Sequence, residues 1–156
     1  MIDQGGHARL ADFMLLIIFS EHSALPSVSS SPVHGKTRWM SPELLHPEHF
    51  GCNHDLSTKE SDRYALGMVI YEVLTGRAPF APSKDFVVMR MVINGERPGR
   101  PEGAEGAWFT DDLWKMLGLC WAADAHSRPS VEVVIKCLEQ VSCTWIPPPS
   151  ERERSG

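Results

Sequence analysis

Gly35-Lys36-Thr37-Arg38-Trp39-Met40-Ser41-Pro42-Glu43-Leu44-Leu45 is the run on which the fold turns, because neither the helical nor the strand period accounts for its order. Its second half contains a helix start. Ser41 offers a hydroxyl at the N-cap and Pro42 sits at the first helical position, where a missing N–H costs nothing. The spacing predicts a short helix through Leu45, ended by Pro47.

Downstream the pattern becomes strongly helical from Ser61. Leu66, Val69, Ile70, Val73 and Leu74 fall at i, i+3, i+4, i+7 and i+8, with Gly76 as a C-terminal stop and Pro79 beyond it. Met68 and Tyr71 add apolar surface off that stripe, so this helix is expected to be buried most of the way round. Residues 84–94 predict another helix, and a Pro/Gly-rich loop runs from Arg97 to Gly106. Thr110 can cap the next helix, with Leu113, Trp114, Leu117, Cys120 and Trp121 facing inward. Ser130 caps the last, which carries Val131, Val134, Ile135, Leu138 and Val141 on one face.

Upstream, residues 2–12 read as a short β hairpin around Gln4-Gly5-Gly6-His7. Residues 20–34 are rich in Ser and Pro with little to bury, which predicts a mobile loop. The apolar run Phe13 to Phe19 has seven residues, far short of the ~20 needed to span a bilayer. Its acidic flank also disfavours a secretory signal, so a buried strand or segment stem is the better reading.

Composition narrows the function classes. The chain has 156 residues, 42% hydrophobic and 22% charged, which suits one domain with a core of useful size. A net charge of −5 without a basic stripe argues against a nucleic-acid partner. The four cysteines, Cys52, Cys120, Cys137 and Cys143, lack C-x-x-C pairing. They read as reduced thiols in a cytoplasmic or nuclear protein.

Four elements in this order resemble the C-terminal lobe of a eukaryotic protein kinase, most like the tyrosine-kinase-like serine/threonine group. Trp39-Met40-Ser41-Pro42-Glu43 is similar to the A-P-E end of an activation segment, with Ser for Ala. Ala11-Asp12-Phe13 is similar to its D-F-G start, with Met14 in place of Gly. Ser61 to Met68 and on to Leu74-Thr75-Gly76-Arg77-Ala78-Pro79-Phe80 resembles the central helix of the lobe and the turn after it. Cys120-Trp121-Ala122-Ala123-Asp124-Ala125-His126-Ser127-Arg128-Pro129-Ser130 resembles the C-W-x-x-D-x-x-x-R-P-S signature.

The resemblance implies a mainly α, C-lobe-like fold with a short hairpin at its front and no N-lobe. Residues 1–146 would form a partial kinase domain, with the activation segment at about 12–43 and the helical lobe at about 41–141. Residues 147–156 would be a disordered polar tail. Glu43 would pair with Arg128 in a buried ion pair that clamps the segment to the helical base. Asp62 would accept hydrogen bonds from catalytic-loop amides, and Trp39 would hold the segment. Asp12 is either the ligand that holds Mg²⁺ against ATP or a strand-end carboxylate facing solvent. Ser27, Ser29, Ser30, Ser31 and Thr37 are the candidate phosphorylation sites; a bare flexible loop is the alternative.

Departures from the pattern bear on catalysis. There is no G-x-G-x-x-G and no H-R-D run, and phosphoryl transfer in this family needs both, with a strand lysine. The chain is expected to begin just after the catalytic loop would end, and alone to bind neither Mg²⁺ nor ATP and to be inactive. No catalytic residue is assigned. Met14 replaces a glycine valued for its backbone freedom, and Lys36 stands where active serine/threonine kinases carry threonine. The apolar face formed by Leu66, Val69, Ile70 and Val73 is expected to lack cover and to require a partner.

Three functions remain open on this reading. One is the C-terminal part of a protein serine/threonine kinase; tyrosine specificity is the less favoured variant. Another is a non-catalytic, pseudokinase-like protein-binding module, away from any membrane. The third is an unrelated helical interaction domain.

Overall fold

The computed structural model describes residues 5–7, 35–51 and 57–144, without the side chains of residues 104, 105 and 144. The chain divides into two compact units, residues 1–32 and 33–156. In the first unit the described residues are a turn in which Gly6 takes φ 81°. The expected hairpin, the D-F-G-like element, the Ser-rich loop and the polar tail therefore lie outside the described residues.

The second unit is helical, and among its described residues there is no strand. A 3₁₀ turn at Thr37–Trp39 leads into α1, Pro42–Leu45. After a second 3₁₀ turn at Pro47–Phe50 come α2, Lys59–Thr75, and α3, Asp85–Ile93. Then follow α4, Gly103–Gly106, α5, Asp111–Cys120, and α6, Val131–Thr144.

The start of α2 is fixed by a reciprocal cap. Thr58 Oγ1 accepts from the Ser61 amide at 3.1 Å, and Ser61 Oγ accepts from the Thr58 amide at 2.8 Å. This box starts the helix at Lys59, two residues before the position the apolar pattern indicates. Its end follows from Gly76, left-handed at φ 66°, whose amide returns to the Glu72 carbonyl at 2.8 Å. Thr110 caps α5 by accepting from the Leu113 amide at 3.3 Å.

The core gathers Tyr64 and Met68 of α2, Val88 and Val92 of α3, Leu113, Met116, Leu117 and Cys120 of α5, and Val134 of α6, with Phe109 and Trp121. Tyr71, Phe109, Trp114 and Trp121 join edge to face or tilted, with centroids 5.7 to 6.1 Å apart. Each such contact adds about 0.5–1.5 kcal/mol beyond area burial.

Two faces differ from the sequence expectation. On α2 the buried residues are Ser61, Tyr64, Gly67 and Met68, whereas Val69 is 43% and Val73 is 73% exposed. The helix is apolar on several sides, so its sequence does not fix which side turns inward; the close approach at Gly67 does. Only Lys59, Asp62, Val69 and Val73 are exposed, so the helix is at least half-buried most of the way round, as expected, with Leu66, Ile70, Tyr71 and Leu74 packed against the core and one narrow stripe left to solvent. On α6 Val134 is buried and Cys137, Leu138 and Val141 are half-buried, while Val131 and Ile135 are exposed. The packed stripe keeps Val134, Leu138 and Val141 from the apolar one and exchanges Val131 and Ile135 for Cys137, a rotation of about 45°.

Candidate functional site

Chemistry at the quoted run begins with burial. Ser41, Pro42 and Glu43 are all buried, and a buried carboxylate needs a partner or a proton. Arg128 supplies the partner. Its Nη1 donates to Glu43 Oε1 at 2.6 Å and its Nη2 to Oε2 at 2.8 Å, a two-pronged match of fork to carboxylate. Arg128 Nε also donates to the Ala122 carbonyl at 3.1 Å, and Nη1 to the Glu60 carbonyl at 2.9 Å. One fully buried guanidinium thus joins α1, the first turn of α2 and the 122–128 turn.

Burial pushes the Glu43 carboxyl up, and the Arg128 hydrogen bonds and neighbouring donors outweigh that effect, so it stays below the usual carboxylate value. The Tyr64 ring packs under two cations. The guanidinium carbons of Arg128 and Arg97 lie 5.2 and 5.4 Å from its centroid. Burial still pushes the Tyr64 hydroxyl up to about 12.

Trp39 and Arg38 fix the other half of the run. Trp39 Nε1 donates to Glu72 Oε2 on α2 at 2.9 Å. Arg38 Nη1 donates to the Pro79 carbonyl at 2.9 Å, Nη2 donates to the Ser83 carbonyl, and the same nitrogen pairs with Asp85 of α3 at 3.1 Å. Thr37 is buried, so its hydroxyl reaches a modifying enzyme only if the 3₁₀ turn leaves its seat.

A cavity of 280 Å³ opens between this run and the start of α2, lined by Lys36, Trp39, Met40, Leu44, Asp62 and Ala65 among others. Asp62 is exposed there, in the first turn of α2, where the helix dipole favours an acid.

The structure therefore brings Glu43 and Arg128 together, seats Trp39 against Glu72, and leaves Asp62 facing the cavity. Asp12, Ser27, Ser29, Ser30 and Ser31 lie outside the described residues. Among the described residues no three His, Cys, Asp or Glu side chains converge as metal ligands. With Asp12 outside them there is no donor set for Mg²⁺ to fit, and no step through Mg-ATP follows from these residues. The thiols offer no nucleophile in the core, where burial pushes Cys120 up to about 11. No helix among the described residues is long and apolar enough to cross a membrane.

Residue-by-residue reading missed Arg38, Glu72 and Arg97. Arg38 had a visible signal, a cation beside the half-buried Trp39. Glu72 and Arg97 had none: Glu72 meets Trp39 across 33 positions, and Arg97 meets backbone carbonyls and the Tyr64 ring, which no side-chain pattern announces.

Comparison with known proteins shows the family. A family model described as protein tyrosine and serine/threonine kinase matches residues 1–138. The chain is 29% identical over 139 residues to the serine/threonine-protein kinase VIK of Arabidopsis thaliana, covering 88% of this chain and 29% of that protein. It is 32% identical over 142 residues to a light-sensor protein kinase of Ceratodon purpureus, covering 85% of this chain and 10% of the relative. It is 35% identical over 106 residues to the protein sevenless of Drosophila melanogaster, covering 67% of this chain and 4% of the relative. In each case the chain spans less than a third of the relative's length.

Proposed function

This chain belongs to the protein tyrosine and serine/threonine kinase family, and from that premise we propose that it forms the helical, substrate-facing part of a protein serine/threonine kinase. The observation that carries the reading is the buried Glu43–Arg128 fork, which fixes the Trp39-to-Glu43 segment on the helical base. Such a segment positions a protein substrate without touching phosphate. The cavity beside Lys36 and Asp62 is where a substrate backbone would pass.

Catalysis requires groups that this sequence lacks, a Gly-rich loop, a strand lysine and an H-R-D loop. Alone, the chain binds protein and does not transfer phosphate. A second reading, a non-catalytic protein-binding module, is favoured by apolar side chains left on the surface, Val69 and Val73 on α2 and Phe86, 62% exposed, on α3.

The test is purification of the protein from its native cells, with intact mass, N-terminal sequence and an assay with Mg-ATP and a generic protein acceptor. A longer species that phosphorylates serine or threonine supports the first reading. A species beginning at Met1 that retains a protein partner and transfers nothing supports the second. Phosphate transfer by the 156-residue chain alone would overturn both.

A further inference from the structure

A second cavity, of 340 Å³, lies between the end of α2, the turn that follows it, α3 and the 97–99 loop. Its size sits at the lower end of the range for small-ligand pockets. Tyr71, Phe80 and Met91 supply apolar wall, and Arg77, Arg97 and Gly99 supply polar wall. Two cations and no carboxylate line it, in a chain with 20 acidic and 15 basic residues.

Arg97 is held in place before any ligand arrives. Its Nε donates to the Trp121 carbonyl at 2.8 Å, and its Nη1 to the Val92 and Glu96 carbonyls at 3.1 and 2.7 Å. Those partners are neutral, and no ion pair to Arg97 exists among the described residues, so its charge is only partly compensated. Across the cavity Phe80 takes φ 60°, a sparsely populated region for a bulky aromatic residue. The Ser83 amide returns to the Phe80 carbonyl at 2.9 Å, and Arg38 holds the Ser83 carbonyl, so the wall is fixed from both sides.

We propose that this cavity binds a short acidic segment of a partner protein, its Glu or Asp carboxylate on Arg97 and an adjacent apolar side chain among Tyr71, Phe80 and Met91. Charge complementarity selects the carboxylate. The cavity is partly open to solvent, so side chains enter while the peptide backbone stays outside.

The probe is the peptide acetyl-Ala-Phe-Glu-Ala-amide against its Gln counterpart, titrated into the full chain with backbone amide shifts as readout. The Glu peptide binds about tenfold more tightly than the Gln peptide, with saturating shifts at Phe80, Ala81 and Gly99. Added salt weakens the Glu peptide alone. Arg97→Gln removes the preference. Because Arg97 also holds three carbonyls, Ala78→Phe serves as the second variant, filling the cavity without touching either arginine and abolishing binding of both peptides. Equal binding of the two peptides, saturating shifts elsewhere, or no shift up to about 10 mM would overturn the proposal. So would inorganic phosphate displacing the Glu peptide at lower concentration, since the site would then read phosphate.

Discussion

Gly67 of α2 packs so closely on Trp121 that a Cβ placed on the glycine would lie 2.7 Å from the indole Nε1 and 2.9 Å from Cys120 Cβ. Neither neighbour is the end of a flexible chain, so the two helices meet at this distance only because position 67 has no side chain. Gly67→Ala gains about 1 kcal/mol of helix propensity and loses ~1–3 kcal/mol to overpacking; the clash wins. The control is Gly118→Ala on α5, where nothing lies within 4 Å and the change stabilises by about 0.5–1 kcal/mol. Urea midpoints that moved in the same direction for both variants would contradict this account of the contact.

Glu43→Ala and Arg128→Ala should each destabilise by about 3–5 kcal/mol, since each strands a buried charge. The double variant should cost little more than either single one. A double-mutant cycle with additive losses would mean that the two side chains do not act as a unit.

Acid should loosen the same joint. Glu43 is more acidic in the folded chain than its ordinary value of 4.5, so its contribution is present above that value and is lost as pH falls through the folded one. Denaturant midpoints should therefore drop more steeply below about pH 4.5 in the native sequence than in Glu43→Gln. Parallel curves would assign acid sensitivity to other carboxylates.

Arg38→Ala removes two bonds to carbonyls and a half-exposed pair with Asp85. The loss is about 2 kcal/mol, and amides of Asp85–Ile93 should exchange roughly 30-fold faster if α3 opens locally. Unchanged exchange there would show that α3 is held by Val88 and Val92 alone.

The mainly helical lobe was legible because its punctuation is chemical. The Pro42 start, the Thr110 cap and the Gly76 stop each act within a few residues. The inward faces of α2 and α6 were legible only in part: Leu66, Ile70 and Leu74, and Val134, Leu138 and Val141, do pack on the core, but Val69, Val73, Val131 and Ile135 do not, because tertiary contacts choose among the apolar residues of each helix. Gly67 illustrates the limit. A glycine in a helix interior announces some reason for being there, but only the folded chain names Trp121 as that reason. At the candidate site the Glu43–Arg128 partnership came from the resemblance, whereas Arg38's three partners lie 41 to 47 positions away, beyond any local pattern.

Glu43 and Arg128 are separated by 85 positions, and bringing such distant points together in an unfolded chain costs roughly 4 kcal/mol of closure entropy. Their pairing is therefore a poor first step in folding. The helices between them should assemble first, shorten the gap, and present Arg128 already positioned by the Ala122 and Glu60 carbonyls. The segment from Gly35 to Leu45 should dock last and, on the way out, leave first. It is a buckle fastened over a finished lobe, and undoing it would free the segment while the core around Tyr64 and Leu117 stays packed.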